Sequence, residues 1–480
     1  MTLSAIVLST ASISSTMDLT TNWTALKEFS VKTQTILGVA ILLVLFYLVK
    51  TVLSRPKRLS FPVIEASPTD YKTAVLEGAR KVRAVSFLLT HANMLCKYPD
   101  TPFIVGDVVI LPASTLDEVR NLPENRVSFT KIVAKTLHAK HTGLSVDNVE
   151  IIKAVKVDLT RHINSNLDGL QDEIQYGLDK ELGPCEEWTP VYLYYKLARV
   201  VALMSGRVFV GLPLSREEEW IDATVNYTRD VMLAREAIIK QPAIIRHFVA
   251  RFLPEVKSVR RYGKRGAVLL APLIEEVLAR EAIGKSYGDD LEENRRGTMV
   301  SWMFKYANDK SVRAMADNQM SLSFAAIFTT TGTVCQAIFD IVSRPEYIKP
   351  LRDEIQQVVD EDGYDGGVTR KLKKQSIPKL RKLDSFLKES QRFSPPGFVA
   401  LDRLTTAPLK LSTGHTIPKG IHVAFPSYAI SLSAESFDPS KDYESYIPPH
   451  EFDGFRFCKL RAKEGRENRV SKYCPPIQEL

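Results

Sequence analysis

A chain of 480 residues with 45% hydrophobic side chains can bury a large core, as one big domain or two ordinary ones. Lysine and arginine total 64 against 56 acidic residues, and a net charge of +8 is mild for this length and does not imply a nucleic-acid partner. The five cysteines, Cys96, Cys185, Cys335, Cys458 and Cys474, are odd in number, scattered and without C-x-x-C spacing, which argues against a disulfide framework or structural zinc and for a reducing compartment.

In chain order the first element is an uncharged run from Ile36 to Val49, which with its flanks over 33–53 approaches membrane-spanning length and predicts one transmembrane helix. Lys50, Arg55, Lys57 and Arg58 follow it, whereas Lys27 and Lys32 precede it with Glu28. The positive-inside bias therefore puts residues 1–32 in the lumen and the large C-terminal part in the cytosol. A cleavable signal peptide is the competing reading, but the run starts late and lacks a clear small-residue cleavage site. Met17 is an alternative start, and Asn22 stands in a sequon that would face the lumen and accept a glycan. Residues 54–62 form a basic linker in which Pro56 and Pro62 forbid a continuing helix, and a single domain is expected over 63–480.

Thr101 to Pro112 alternates and turns at Gly106-Asp107, predicting a β-hairpin before a helix that Ser114 and Asp117 could cap. From there to about residue 395 the patterns are mostly helical, with Thr189-Pro190 and Pro345 opening two of the helices. Residues 155–162 place Lys156 and Arg161 on a helix face. Residues 246–265 gather Arg246, Arg251, Lys257, Arg260, Arg261, Lys264 and Arg265 around Phe248, Phe252 and Leu253, a pattern suited to an anionic membrane surface or to an ordinary charged face. Gly284-Lys-Ser-Tyr-Gly288 matches G-x-S-x-G, yet a helix rather than a strand leads into it, so it is a loop and no nucleophile elbow. Ala279 in place of glycine likewise rules out a phosphate loop.

A long apolar helix is expected from about 313 to 342, with adjacent hydroxyls at Thr329, Thr330 and Thr331 that can back-bond to carbonyls one turn earlier and bend it. Further on, Glu389 and Arg392 stand three apart on a helix ended by Pro395-Pro396, which puts them on one face, free to pair. Leu409 to Phe425 reads as a hairpin with turns at Gly414-His415 and Pro418-Lys-Gly420. In Phe452-Asp-Gly-Phe-Arg-Phe457, Arg456 supplies a second guanidinium able to meet Glu389.

An E-x-x-R helix, a P-K-G hairpin and an F-x-x-F-R-F segment following one another from 380 to 457 resemble the cytochrome P450 superfamily. The wording of Phe386-Leu-Lys-Glu-Ser-Gln-Arg and Phe452-Asp-Gly-Phe-Arg-Phe is most similar to the fungal branch that includes ent-kaurene oxidase and secondary-metabolite oxygenases. The resemblance implies a mainly α fold with small β-hairpins behind an N-terminal transmembrane helix, and haem b as cofactor. It implies that Glu389, Arg392 and Arg456 form a structural triad behind the haem, that Arg403 reaches a haem propionate, and that Lys156 and Arg161 are further propionate partners, although the usual tryptophan near them is absent. The family's A/G-G-x-D/E-T pattern falls on Ala325 to Thr329, so Thr329 would hydrogen-bond dioxygen and help deliver protons. Phe328 occupies the acid's place and cannot relay a proton, which leaves a water chain through Thr329 and Thr330.

The same family carries its axial thiolate in an F-x-x-G-x-R/H-x-C-x-G loop. Cys458 satisfies the middle of that pattern but has Glu451 and Leu460 at the ends, and Cys474 keeps Lys472 two before it but has Glu467, Val470 and Pro476 for the phenylalanine and glycines. No metal ligand is therefore assigned, Cys474 and Cys458 remain weak candidates, and the ligand loop and the helix after it read as missing. Two functional readings stand. One is a single-pass endoplasmic reticulum haem monooxygenase that inserts oxygen into a lipophilic, terpenoid or indole-diterpene-like secondary metabolite with electrons from an NADPH-dependent reductase. The other is a truncated, non-catalytic relative with a scaffolding or binding role.

Overall fold

The computed structural model describes residues 59–64, 100–146, 149–243, 245–283, 298–365, 370–432 and 447–462, and residue 38. The chain divides into residues 1–60 and 61–480. The expected membrane span over 33–53, apart from residue 38, and Asn22, the 284–288 loop and Cys474 lie outside the described residues.

Short runs assemble a six-stranded sheet in the order β1 (Val63–Ile64), β2 (Phe103–Val105), β3 (Val108–Ile110), β10 (His422–Phe425), β7 (Ala400–Thr405) and β4 (Val127–Ser128), while among the described residues β5 (Tyr364–Asp365) and β6 (Lys371–Leu372) pair only with each other. β2 (Phe103–Val105) and β3 (Val108–Ile110) are the expected hairpin, antiparallel and in register at Val105 and Val108. Gly106 turns it with φ +61°, a left-handed conformation that a Cβ would strain. β1 (Val63–Ile64) lies parallel to β2, and β4 (Val127–Ser128) closes the other edge against β7 (Ala400–Thr405). Ser114 and Asp117 do not cap α1 (Leu116–Arg120): a 3-10 turn over Ala113–Thr115 runs straight into that helix, and Ser114 instead donates to Asp100 Oδ1 at 3.2 Å.

The expected single hairpin over 409–425 is two pieces. β8 (Leu409–Lys410) and β9 (Thr416–Ile417) pair with each other around Gly414, whereas β10 (His422–Phe425) leaves after the Pro418-Lys-Gly420 turn and enters the large sheet between β3 and β7. The cause is burial. Val423, Ala424 and Phe425 form an apolar run exposed by 1% or less, which needs partners on both sides rather than one.

The helical part begins with α2 (Phe129–Thr136), whose N-cap Ser128 accepts the Lys131 N–H, and α3 (Ala139–Thr142). α4 (Val149–Lys153) widens into a π-helical turn over Ala154–Leu159 and continues to His162. α5 (Leu167–Leu182), α6 (Leu193–Phe209), α7 (Glu218–Ile239), α8 (Arg246–Val249), α9 (Pro254–Ala282) and α10 (Met299–Phe304) follow. α6 starts at Leu193, shortly after the predicted Thr189-Pro190 opening, and Pro345 opens a 3-10 turn that feeds α12 (Ile348–Asp362).

The long threonine-bearing helix is α11 (Val312–Val342), with Ser311 accepting the Ala314 N–H as its cap. Length and composition alone would let it cross a membrane. Its surroundings make it a core helix instead: it packs on α6, α7 and α9, and Asn318, Gln319, Ser321 and Ser323 are buried along it. Ser321 accepts the Ser145 N–H at 2.8 Å and Asn318 accepts the Ser145 hydroxyl at 2.6 Å, partners that lipid could not provide. Trp220, Val231, Ile238, Met303, Met315 and Met320 fill the space between these helices, each such side chain contributing about 1.5–3 kcal/mol by its burial.

Candidate active site

The most heavily partnered polar group is on α13 (Arg381–Phe393), the predicted E-x-x-R helix. Its N-terminus is held by Glu354 of α12, which accepts the Lys382 and Leu383 N–H groups at 2.7 and 3.0 Å and so places negative charge on the positive end of the helix. Ser390 ties it to α11 by donating to Asp340 Oδ2 at 2.6 Å.

Glu389 is fully buried. One turn along, Arg392 grips both carboxylate oxygens, Nε to Oε2 and Nη2 to Oε1, each at 2.7 Å. The backbone N–H of Asp453 donates to Oε1 at 2.8 Å, and Arg456 Nε completes the set at 3.2 and 3.3 Å. Two guanidinium groups and an amide replace the water that burial takes from this carboxylate. The remaining guanidinium hydrogens go to main-chain carbonyls: Arg392 to Ser431, Pro449 and Glu451, and Arg456 to Ile447, Pro448 and Glu451. The triad therefore moulds the irregular backbone over 447–453 in addition to giving the buried carboxylate its counter-charge. Glu389, Arg392 and Arg456 come together as expected from their sequence.

Behind the triad lies an aromatic cluster. Tyr347 sits 5.5 Å from Phe386, 5.9 Å from Phe452 and 5.0 Å from Phe455, and its hydroxyl accepts the Gly454 N–H at 3.0 Å. Arg344 caps this cluster from the end of α11, its guanidinium 4.0 Å from the Phe452 ring centroid. Sequence reasoning missed Tyr347 and Arg344. Their only signal is an aromatic and an arginine near Pro345, and their partners on residues 452–455 are over a hundred residues away.

The threonines lie on a face of α11 formed by Ala325, Phe328, Thr329 and Gly332, at helical spacing. Ala325, Phe328 and Thr329 are exposed, and a Cβ at Gly332 would meet no atom within 4 Å among the described neighbours. Thr329 donates back to the Ala325 carbonyl at 2.8 Å and Thr333 to the Thr329 carbonyl at 3.0 Å, the back-bonding expected of threonines in apolar helices. Thr330 is half-buried, and Thr331 is fully buried with no hydrogen-bond partner for its hydroxyl. Phe328 stacks on Phe324 one turn earlier, centroids 5.8 Å apart.

Arg403 projects from β7, half-buried, with its guanidinium 5.3 Å from the Phe129 ring centroid of α2. Beside it Leu401 has φ +55°, a left-handed conformation costly for a γ-branched side chain, at the register shift where β7 meets β10. Asp402 pairs with His422 across those strands at 2.7 Å. Lys156 and Arg161 are exposed on and just after the π turn.

A thiolate ligand needs an environment that favours the anion. Cys458, on α14 (Arg456–Arg461), has the opposite: burial pushes its thiol up, Glu354 adds to that, and its N–H donates to Ser385 Oγ at 3.0 Å on the back of α13. Cys335 is buried in α11 and likewise pushed up by burial, and Cys185 is exposed. The described cysteines do not fit an axial thiolate, whereas the triad fits the scaffold expected behind a haem.

Comparison with known proteins agrees with this geometry. The family profile described as Cytochrome P450 matches residues 196–472, more than half of the chain. The chain is 47% identical over 384 residues to cytochrome P450 monooxygenase ascG of Acremonium egyptiacum, covering 78% of this chain and 72% of that one. It is 35% identical over 376 residues to cytochrome P450 monooxygenase ataF of Aspergillus terreus, covering 77% and 72%. Among solved structures, the retinoic-acid-bound cyanobacterial CYP120A1 shares the fold with a TM-score of 0.51 at 17% identity, over 82% of this chain and 81% of that one. A buried carboxylate held between two arginines, a mainly helical fold with small sheets, and this degree of identity to fungal relatives place the chain in the cytochrome P450 family.

Proposed function

We propose that the protein is a haem-dependent monooxygenase of fungal secondary metabolism acting on a lipophilic substrate. The observation that carries this reading is the Glu389–Arg392–Arg456 triad, complete and buried, in a chain 47% identical to a named monooxygenase. Haem, when bound, would supply the oxygen-activating chemistry. The chain's own residues supply the frame: the triad holds residues 447–453 against α13, and Arg403, Lys156 and Arg161 are the cations assigned to the propionates. The open face of α11 presents the Thr329 hydroxyl, with Thr330 beside it, as the group that would hold a proton near dioxygen, while Phe328 and Phe324 offer an apolar wall to substrate. No cysteine is assigned to the iron: neither Cys458 nor Cys474 sits in the family's ligand pattern.

Residues 33–53 are proposed to anchor the chain in the endoplasmic reticulum membrane, with a glycan on Asn22 in the lumen and the domain facing a cytosolic NADPH-dependent reductase. A terpenoid or indole-diterpene scaffold is the substrate class proposed. The test is a reduced, carbon-monoxide-treated absorption spectrum of the full chain. A thiolate-type Soret band is the expected result. A chain that takes up no haem would overturn the monooxygenase reading in favour of a binding or scaffolding role.

A further inference from the structure

The strand that carries Arg403 holds a strained residue and a side-chain pair that the oxygenase reading leaves unused. β10 advances two residues, from Val423 to Phe425, where β7 goes back three, from Arg403 to Ala400, so β7 contains one extra residue at Leu401-Asp402. A β-bulge of this kind bends its strand and re-aims the side chains beside it. Glycine takes up a left-handed position without strain, but here Leu401 does so at φ +55° with its side chain buried. A left-handed leucine persists only where its surroundings over-determine it.

Those surroundings hold both ends of the bulge. Ala400 is in register with Phe425 on one side. On the other, the Thr405 hydroxyl donates to the Pro418 carbonyl at 2.7 Å and accepts the Ile421 N–H at 2.9 Å, and its carbonyl accepts the Gly420 N–H at 2.7 Å. β7 therefore cannot slip by one residue to shed the bulge. Inside it, His422 Nε2–H donates to Asp402 Oδ1 at 2.7 Å, and the imidazole is only 10% exposed. His422 stands opposite Leu404 and Val423 opposite Arg403, so strand alternation puts the imidazole on one face of the sheet and Arg403 on the other. The carbonyl of Asp402 accepts Arg403 Nη1 at 2.9 Å, and the guanidinium lies over the Phe129 ring. Whatever fixes the Asp402 residue thus also fixes the head of the arginine that follows it.

We propose that Asp402 and His422 are positioning residues: their hydrogen bond pins the bulge, and the pinned bulge aims Arg403 at a carboxylate of the bound cofactor. The identity of that carboxylate, a haem propionate, rests on the oxygenase reading; the pinning of Arg403 does not. Two readouts in the full chain separate them. Without haem, phenylglyoxal modification of Arg403 is followed by peptide mass spectrometry against buried Arg392 and exposed Arg370. Asp402→Ala should speed modification of Arg403 about fivefold, the weight of one hydrogen bond, while Arg392 stays protected. Asp402→Asn, which keeps an acceptor for His422, should restore most of the wild-type rate. In the haem-loaded chain, Asp402→Ala should hasten haem transfer to apomyoglobin about fivefold, and should add nothing in an Arg403→Gln background, because the pair acts through that arginine.

An Arg403 rate unchanged by Asp402→Ala would overturn the proposal. So would Arg392 becoming reactive together with Arg403, which would mean a general loosening, and so would additive haem loss in the double variant. A wild-type chain that takes up no haem would sink the oxygenase reading, with the modification rates still deciding whether the pair positions Arg403.

Discussion

Replacing Glu389 by glutamine removes one charge and almost no volume, which isolates the electrostatics of the triad. In the native protein the carboxylate accepts from both ends of the Arg392 fork, from Arg456 Nε and from the Asp453 N–H. A glutamine amide keeps one oxygen and turns an –NH2 group toward a guanidinium, so at least one bidentate bond becomes donor against donor and two buried cations lose their counter-charge. Breaking a buried ion pair from one side costs about 3–5 kcal/mol, a large fraction of the roughly 5–15 kcal/mol that holds a domain folded. Replacing the whole triad by apolar residues is no escape here, because the carbonyls of Ser431, Ile447, Pro448, Pro449 and Glu451 would then lose their donors at about 1–3 kcal/mol each. Urea unfolding followed by tryptophan emission is the assay, since Trp220 is 1% and Trp302 6% exposed and both report on the helical core. Trypsin cleavage within 447–462 provides a local readout. A Glu389→Gln protein that unfolds within about 1 kcal/mol of wild type, with that segment equally protected, would refute the reasoning.

Glycine substitutions separate rigid from yielding neighbours. A Cβ on Gly454 would lie 2.6 Å from Tyr347 Cε1 and 2.8 Å from Phe386 Cδ2, rings locked in the aromatic cluster, so Gly454→Ala should cost about 1–3 kcal/mol in the same unfolding assay. At Gly266 the obstacle is the flexible Met320 side chain, and the gain in helix propensity of about 1 kcal/mol offsets its displacement, so Gly266→Ala should stay within about 1 kcal/mol of wild type. Acid should destabilise the protein in two steps, read as the thermal midpoint across pH. Burial and neighbouring cations lower His138 and His141 in the folded state, so the stability they contribute is whole above the unfolded value of 6.5 and is lost as pH falls through the folded values. Burial would raise Asp384, but the Arg461 and Lys388 hydrogen bonds prevail and hold it low, so its contribution persists above the unfolded value of 3.8 and disappears below it. Combining His138→Gln with His141→Gln should remove the first step and leave the second; an unchanged first step would count against this account.

Local chemistry was enough to read the E-x-x-R helix, the β2–β3 hairpin and the long threonine-bearing helix, because spacing i, i+3, strict alternation and an unbroken apolar period act between near neighbours in sequence. The family, too, was legible from the order of motifs between 380 and 457. Other features depend on groups far apart in the chain. Val423 to Phe425 joined a larger sheet instead of closing its own hairpin because a run buried on both faces must find two partners, and β3 lies some three hundred residues upstream. Tyr347 and Arg344 entered the site through rings and an amide on residues 452–455, and Cys458 was placed against the back of α13, where burial raises its thiol. The sequence named Glu389, Arg392 and Arg456 as a group that could meet. Only the tertiary structure decided that they do so buried, since the backbone carbonyls that take up the remaining guanidinium hydrogens come from the end of a short helix at Ser431 and from the separate stretch over 447–451.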